Sequence, residues 1–202
     1  MTMSTLFIET LKVADGKFSN PVPHQKRIQN TLLEIGIHDF ILPDFNSEFI
    51  PKDKTQGTIK CRCLYNGKEF KIEYEKYQPR IVKTLKLVCC DSIDYHLKYA
   101  DRDSLNRLLV KRSACDNILI VKNGEITDTS YSNVVFYDGI DYYTPRSFLL
   151  NGTKRQQLIA EGKIKIKKIC PSDIKDYKCV YLINAMLDIE DQICVKTEDI
   201  IF

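Results

Sequence analysis

Glycine and proline are scarce, at 8 and 7 of 202 residues, which excludes collagen-like, linker-like and disordered-tail compositions. Histidine occurs only at His24, His38 and His96, and no two of the eight cysteines have Cys-x-x-Cys spacing, so no metal site is expected. The cysteines fall as Cys61 and Cys63, adjacent Cys89 and Cys90, and single Cys115, Cys170, Cys179 and Cys194. Set mostly among apolar residues, they read as small buried hydrophobes in a reducing compartment. No apolar run approaches the roughly 18 residues of a membrane helix, and Met1 to Ile8 lacks the basic-then-apolar pattern of a secretory leader. A cytoplasmic protein with no membrane partner is expected. The net charge is only +3, from 30 basic residues interleaved with 27 acidic ones, so no nucleic-acid partner is expected either.

What remains is an ordinary globular composition, 44% hydrophobic and 28% charged. A chain of this length buries roughly 70% of its unfolded surface and needs no disulfide or metal staple. Thr5 to Val13 is rich in strand formers and ends at the turn pair Asp15-Gly16. Ile28, Leu32 and Ile35 fall at helical spacing after His24, with Gly36 placed to stop the helix. Two alternating runs flank Asn66-Gly67 between Thr58 and Tyr77, a hairpin signal. Pro79 then interrupts the pattern, and a small α+β lobe over residues 1–79 is expected to give way to a larger lobe over 80–202. There Arg80 to Cys90 reads as a strand and Ser104 to Ala114 as a helix. Asn117 to Thr144 reads as a meander of short antiparallel strands punctuated by Asn123-Gly124 and Asp138-Gly139. Thr153 to Ala160 is predicted helical, and Cys179 to Met186 a buried strand. The alternating run Lys163 to Lys168 is predicted to be an edge strand with one wet face.

Several stretches, in this order, resemble one family. They are Leu6-Phe7-Ile8-Glu9-Thr10, Asp15-Gly16-Lys17, His24-x-x-Arg27-Ile28, Lys98-Tyr99-Ala100-Asp101-Arg102 and Asp128 through Phe136. Tyr143-Thr144-Pro145, Leu149 through Arg155 and Ile183-Asn184-Ala185-Met186 complete the set. Together they resemble the class IV aminotransferases, enzymes of fold type IV that use pyridoxal phosphate. The resemblance implies a two-lobed α+β fold with the cofactor held between the lobes, a homodimer, and a small-molecule amino substrate. Against the family's usual length, the strand hairpin before Phe7 is absent and the region before Lys98 is compressed.

The resemblance also implies roles, and each matches what the chemistry needs. Lys98, at the end of an apolar connector, corresponds to the catalytic lysine that joins the cofactor aldehyde and moves protons, with Lys111 as its rival. Asp128 stands where the family most often has Glu, beside the pyridine nitrogen, and Asn133, following it at the family's spacing, is expected to bind the cofactor with it. The alternative for Asp128 is a turn residue bonding the backbone. Arg27, with the Gly152-Thr153-Lys154 turn, is expected to hold the cofactor phosphate, and His24 to be structural. Asn184 and Ala185 either border the phosphate or cap a turn. Arg102 either pairs with a substrate carboxylate or starts a helix. It leans, with Ile183 to Met186, towards the lyases that convert 4-amino-4-deoxychorismate to 4-aminobenzoate and pyruvate. Transamination of branched-chain or D-amino acids, and a non-catalytic homologue, remain the alternatives.

Overall fold

The computed structural model describes residues 5–202. The chain divides into two compact units: residues up to Pro79 with Leu97–Asp101, and Arg80–His96 with Arg102–Phe202. Residues 97–101 thus belong with the first unit rather than the second. The Ile8 N–H donates to the Lys98 carbonyl at 3.0 Å and the Ala100 N–H to the Leu6 carbonyl at 2.9 Å, which fastens this segment to the N-terminal sheet.

The first unit comprises β1 (Phe7–Ala14), β2 (Lys17–Phe18), α1 (Pro21–Glu34), β3 (Thr58–Tyr65) and β4 (Phe70–Lys76), with its sheet in the order β2-β1-β3-β4. Asp15 and Gly16 both take positive φ, 48° and 72°, which suits the two-residue turn between β1 and β2. Strand alternation turns Phe7, Leu11 and Val13 of β1, and Ile59, Cys61, Cys63 and Tyr65 of β3, into a core shared with Ile28 and Leu32 of α1. Pro21 opens α1 and Gly36, at φ 80°, follows its end.

The second unit holds β5 (Leu85–Cys89), α2 (Asp103–Leu109), β6 (Asn117–Lys122), β7 (Glu125–Thr129), β8 (Asn133–Tyr137), β9 (Tyr142–Pro145), α3 (Thr153–Ala160), β10 (Lys165–Lys167), β11 (Cys179–Ile183), β12 (Cys194–Lys196) and β13 (Ile200–Ile201). The β6 to β9 meander is antiparallel, as its turns predict. Around it lie pairings made at longer range: β5 runs parallel to β6, β13 parallel to β5, β10 parallel to β9, and β11 antiparallel to β8. Strand β10 does form a sheet edge, but all three of its residues are exposed, Ile166 included. The buried isoleucines are Ile164 and Ile169, just outside it. One core gathers Leu85, Leu119, Ile126, Val134, Phe136, Val180 and Leu182; a second lies under α3 around Leu158, Val135 and Ile183. All eight cysteines are free thiols; Cys61, Cys63 and Cys115 are buried, Cys89 is exposed and the rest are half-buried. No helix among the described residues is long and apolar enough to cross a membrane.

Candidate active site

In the first unit, Lys98 is half-buried on the segment stitched to β1, between the buried Leu97 and the half-buried Tyr99. Tyr99 bridges to Phe7, with ring centroids 5.5 Å apart. Two α1 side chains three residues apart, His24 and Arg27, converge on the carboxylate of Glu9. Arg27 donates through Nε to Oε2 at 2.9 Å and through Nη2 to Oε1 at 2.5 Å, and His24 Nδ1 lies 2.8 Å from Oε1. Glu9 is fully buried, on the inward face of β1. Burial opposes its charge, but Arg27 and His24 together hold the carboxyl well below the usual carboxylate range. His24 is thus structural, and Arg27 is held in a fixed fork. Glu9 escaped the sequence reading as a site residue; the signal was a carboxylate on an inward position of an alternating strand, between Phe7 and Leu11.

In the second unit, Asp128 and Asn133 are direct partners across β7 and β8, joined by the turn Ser130–Ser132. Thr129 supplies the backbone-bonding side chain of that turn, its hydroxyl accepting from the Ser132 N–H at 3.0 Å. The Asp128 carboxylate is directed elsewhere. Its Oδ1 accepts from Asn133 Nδ2 at 2.7 Å, and its Oδ2 from the backbone N–H groups of Leu149 and Leu150 at 2.9 and 3.0 Å. Asn133 Nδ2 also donates to the Leu150 carbonyl at 2.9 Å. Burial pushes the Asp128 carboxyl up to about 6, against these three donors and the nearby Arg155.

The Leu149–Gly152 turn so held leads into α3. Gly152, the residue before the helix, has no side chain to cap the first-turn amides, and a Cβ there would lie 1.9 Å from Asn133 Oδ1. Thr153 is buried, and the ammonium of Lys154 pairs with Asp188 at 2.5 Å. Arg155, 5% exposed, fastens the turn by donating to the Pro145 carbonyl at 2.9 Å, Thr144 Oγ1 at 3.2 Å and Asn151 Oδ1 at 3.4 Å. Nothing in the sequence around Arg155, the last residue of the Leu149–Arg155 stretch, marks this role. Arg102 lies just before α2 and donates to the Ser130 carbonyl. Asn184 caps a turn: its Oδ1 accepts from the Met186 and Leu187 N–H groups at 2.8 and 3.1 Å, with Ala185 half-buried between.

Each unit by itself carries groups that pyridoxal phosphate chemistry uses: the first a primary amine and a guanidinium, the second a buried carboxylate with a lone pair left on Oδ1 and a helix start left uncapped by any side chain. Residues 95–190 match the family model for amino-transferase class IV. An uncharacterized protein of Haemophilus influenzae (strain Rd) is 40% identical over 182 residues, 88% of this chain and 96% of that one. A candidate 4-amino-4-deoxychorismate lyase from Haemophilus somnus 129PT is 33% identical, with a TM-score of 0.83 over 92% of this chain and 98% of that one. A hypothetical aminotransferase from Mycobacterium tuberculosis, solved with α-ketoglutarate and PMP, shares the fold at 16% identity, with a TM-score of 0.76 over 99% of this chain and 82% of that one. The chain belongs to the class IV aminotransferase family.

Proposed function

We propose that the protein is a pyridoxal phosphate-dependent lyase that converts 4-amino-4-deoxychorismate to 4-aminobenzoate and pyruvate. Family membership makes it an enzyme of pyridoxal phosphate chemistry. The choice of lyase is supported chiefly by the likeness, over nearly the full length of both chains, to the candidate lyase of Haemophilus somnus. Arg102 at the end of the Lys98–Arg102 motif favours the same branch. On this reading the protein is a cytoplasmic homodimer of folate biosynthesis, acting on a small-molecule amino substrate.

When bound, pyridoxal phosphate supplies an aldehyde that joins a primary amine and a ring that draws electrons from the carbon beside that amine. Lys98 presents its Nζ as the resting amine. Once released, Lys98 Nζ takes the proton from the substrate's amine-bearing carbon, so that pyruvate leaves as its enol from the neighbouring carbon and the product ring becomes aromatic. Asp128 would hold the ring N–H through its carboxylate and keep that nitrogen protonated. Arg27 and the backbone N–H groups of Thr153 and Lys154 would bind the phosphate, Gly152 would permit its close approach, and Asn184, its side chain capping the turn, would border it with Ala185. Arg102, at the start of α2 and bonded to the Ser130 carbonyl, would pair with a substrate carboxylate through its remaining guanidinium N–H groups.

Incubation with 4-amino-4-deoxychorismate alone should release pyruvate, with no keto-acid acceptor consumed. Turnover of branched-chain or D-amino acids with 2-oxoglutarate, without pyruvate release, would overturn the lyase reading and leave the family intact.

A further inference from the structure

We propose that Asp128 is a positioning residue for the phosphate turn: one carboxylate oxygen clasps the backbone at Leu149 and Leu150, fixing the approach to α3, while the other is left for the cofactor ring. The inference rests on the pyridoxal phosphate reading and deepens it.

Side-chain length sets where this carboxylate can reach. Asp is one methylene shorter than the Glu that the family most often places here, so its carboxylate stays close to β7 and within reach of neighbouring backbone. Three N–H donors converge on it, two of them on Oδ2. A backbone N–H buried at a turn must find an acceptor, and Oδ2 serves Leu149 and Leu150 together. Asn133 straps the same turn from the other side, joining Asp128 Oδ1 to the Leu150 carbonyl. The strap fits only because residue 152 is glycine, since any Cβ would collide with Asn133 Oδ1. Arg155, on α3 itself, closes the arrangement through Asn151 Oδ1 and the Pro145 carbonyl. The carboxylate proposed to meet the ring and the backbone proposed to meet the phosphate are therefore one hydrogen-bonded assembly.

No neutral isostere reproduces it. In Asp128→Asn, an amide nitrogen turned to Leu149 and Leu150 would face two donors. Turned the other way, it would face the donor Nδ2 of Asn133. Either orientation leaves donors opposed. Asn133→Ala removes the second strap and leaves the Asp128 charge in place, so it supplies an independent variant should Asp128→Asn fold poorly.

The test uses the full chain and a ligand without a ring. Calorimetry would measure inorganic phosphate, pyridoxal phosphate and pyridoxal binding to wild type, Asp128→Asn and Asn133→Ala, and hydrogen exchange would follow the Leu149 and Leu150 amides without ligand. The clasp predicts faster exchange at both amides in Asp128→Asn, and a loss of inorganic phosphate affinity of about tenfold or more in both variants. In Asn133→Ala, pyridoxal affinity should fall less than inorganic phosphate affinity. Unchanged exchange, or unchanged phosphate affinity beside an altered pyridoxal affinity, would confine Asp128 to the ring and overturn the proposal. A wild type that binds neither inorganic phosphate nor pyridoxal phosphate would refute the cofactor reading itself, and the positioning role with it, whatever the exchange shows.

Discussion

Glu9→Gln removes one negative charge from a group that is fully buried and touches the Arg27 guanidinium and the His24 imidazole. In the wild type the carboxylate accepts from Arg27 Nε and Nη2, lies 2.8 Å from His24 Nδ1, and accepts from the Thr10 N–H at 3.1 Å. Removing one member of a buried ion pair typically costs about 3–5 kcal/mol, because the other is left uncompensated. Arg27 keeps 15% of its side chain exposed and can recover some hydration, which favours the lower end, about 3 kcal/mol. With a urea slope of about 2 kcal/mol per molar, the unfolding midpoint of the first unit should fall by roughly 1.5 M. The loss should also depend on pH in a definite direction. A carboxyl held below its ordinary value of 4.5 binds its proton more weakly in the folded chain, so the wild type's advantage is complete above that pH and erodes as the pH falls through the folded value. Urea titrations of both proteins at pH 7 and at several points below 4.5 measure this. Midpoints within about 0.2 M at pH 7, or a gap that does not narrow on acidification, would refute the reasoning.

Gly152→Ala would set a methyl 1.9 Å from Asn133 Oδ1, so it should cost about 1–3 kcal/mol in thermal or urea unfolding and weaken cofactor binding. A variant with wild-type stability and affinity would contradict the packing described. Arg27→Ala should weaken pyridoxal phosphate affinity by about 2–5 kcal/mol, with a smaller effect on turnover at saturating cofactor; fluorescence titration of the apoprotein reads the first, and unchanged affinity refutes the phosphate role. Asp128, raised from 3.8 to about 6, gives the opposite pH dependence to Glu9. The folded chain binds this proton more tightly, so the group's contribution to stability is full below 3.8 and is lost as the pH rises through about 6. Asp128→Asn should therefore flatten the pH dependence of unfolding between pH 4 and 6, and an unaltered slope would show that the carboxyl titrates elsewhere.

Local signals carried much of the fold. The spacing of Ile28 and Leu32 and the stop at Gly36 mark α1, and α3 spans Thr153–Ala160 as predicted. Asp15-Gly16 and Asn123-Gly124 mark tight turns, because each pair adopts the positive φ angles that such turns demand. The parallel pairing of β5 with β6, and of β13 with β5, was not legible, since a ladder between distant segments leaves no periodic trace in either. Run Lys163–Lys168 misled in one respect: alternation predicts a buried face only where something covers it, and nothing buries Ile166. For the candidate site, motif order singled out Arg27, Lys98, Asp128 and the Gly152 turn as candidates, but not what each side chain touches. Glu9 lies 18 residues from Arg27, and Asp128 lies 21 from Leu149, separations at which only the folded backbone decides a partner.

The proposed function stands or falls with Lys98 Nζ as the amine of pyridoxal phosphate chemistry. Reduction of the cofactor-loaded protein with borohydride, followed by digestion and mass spectrometry, tests it most directly. The account predicts one reduced cofactor adduct, on the peptide containing Lys98 and absent from Lys98→Ala. An adduct on Lys111 or any other lysine, or none in the loaded wild type, would contradict it.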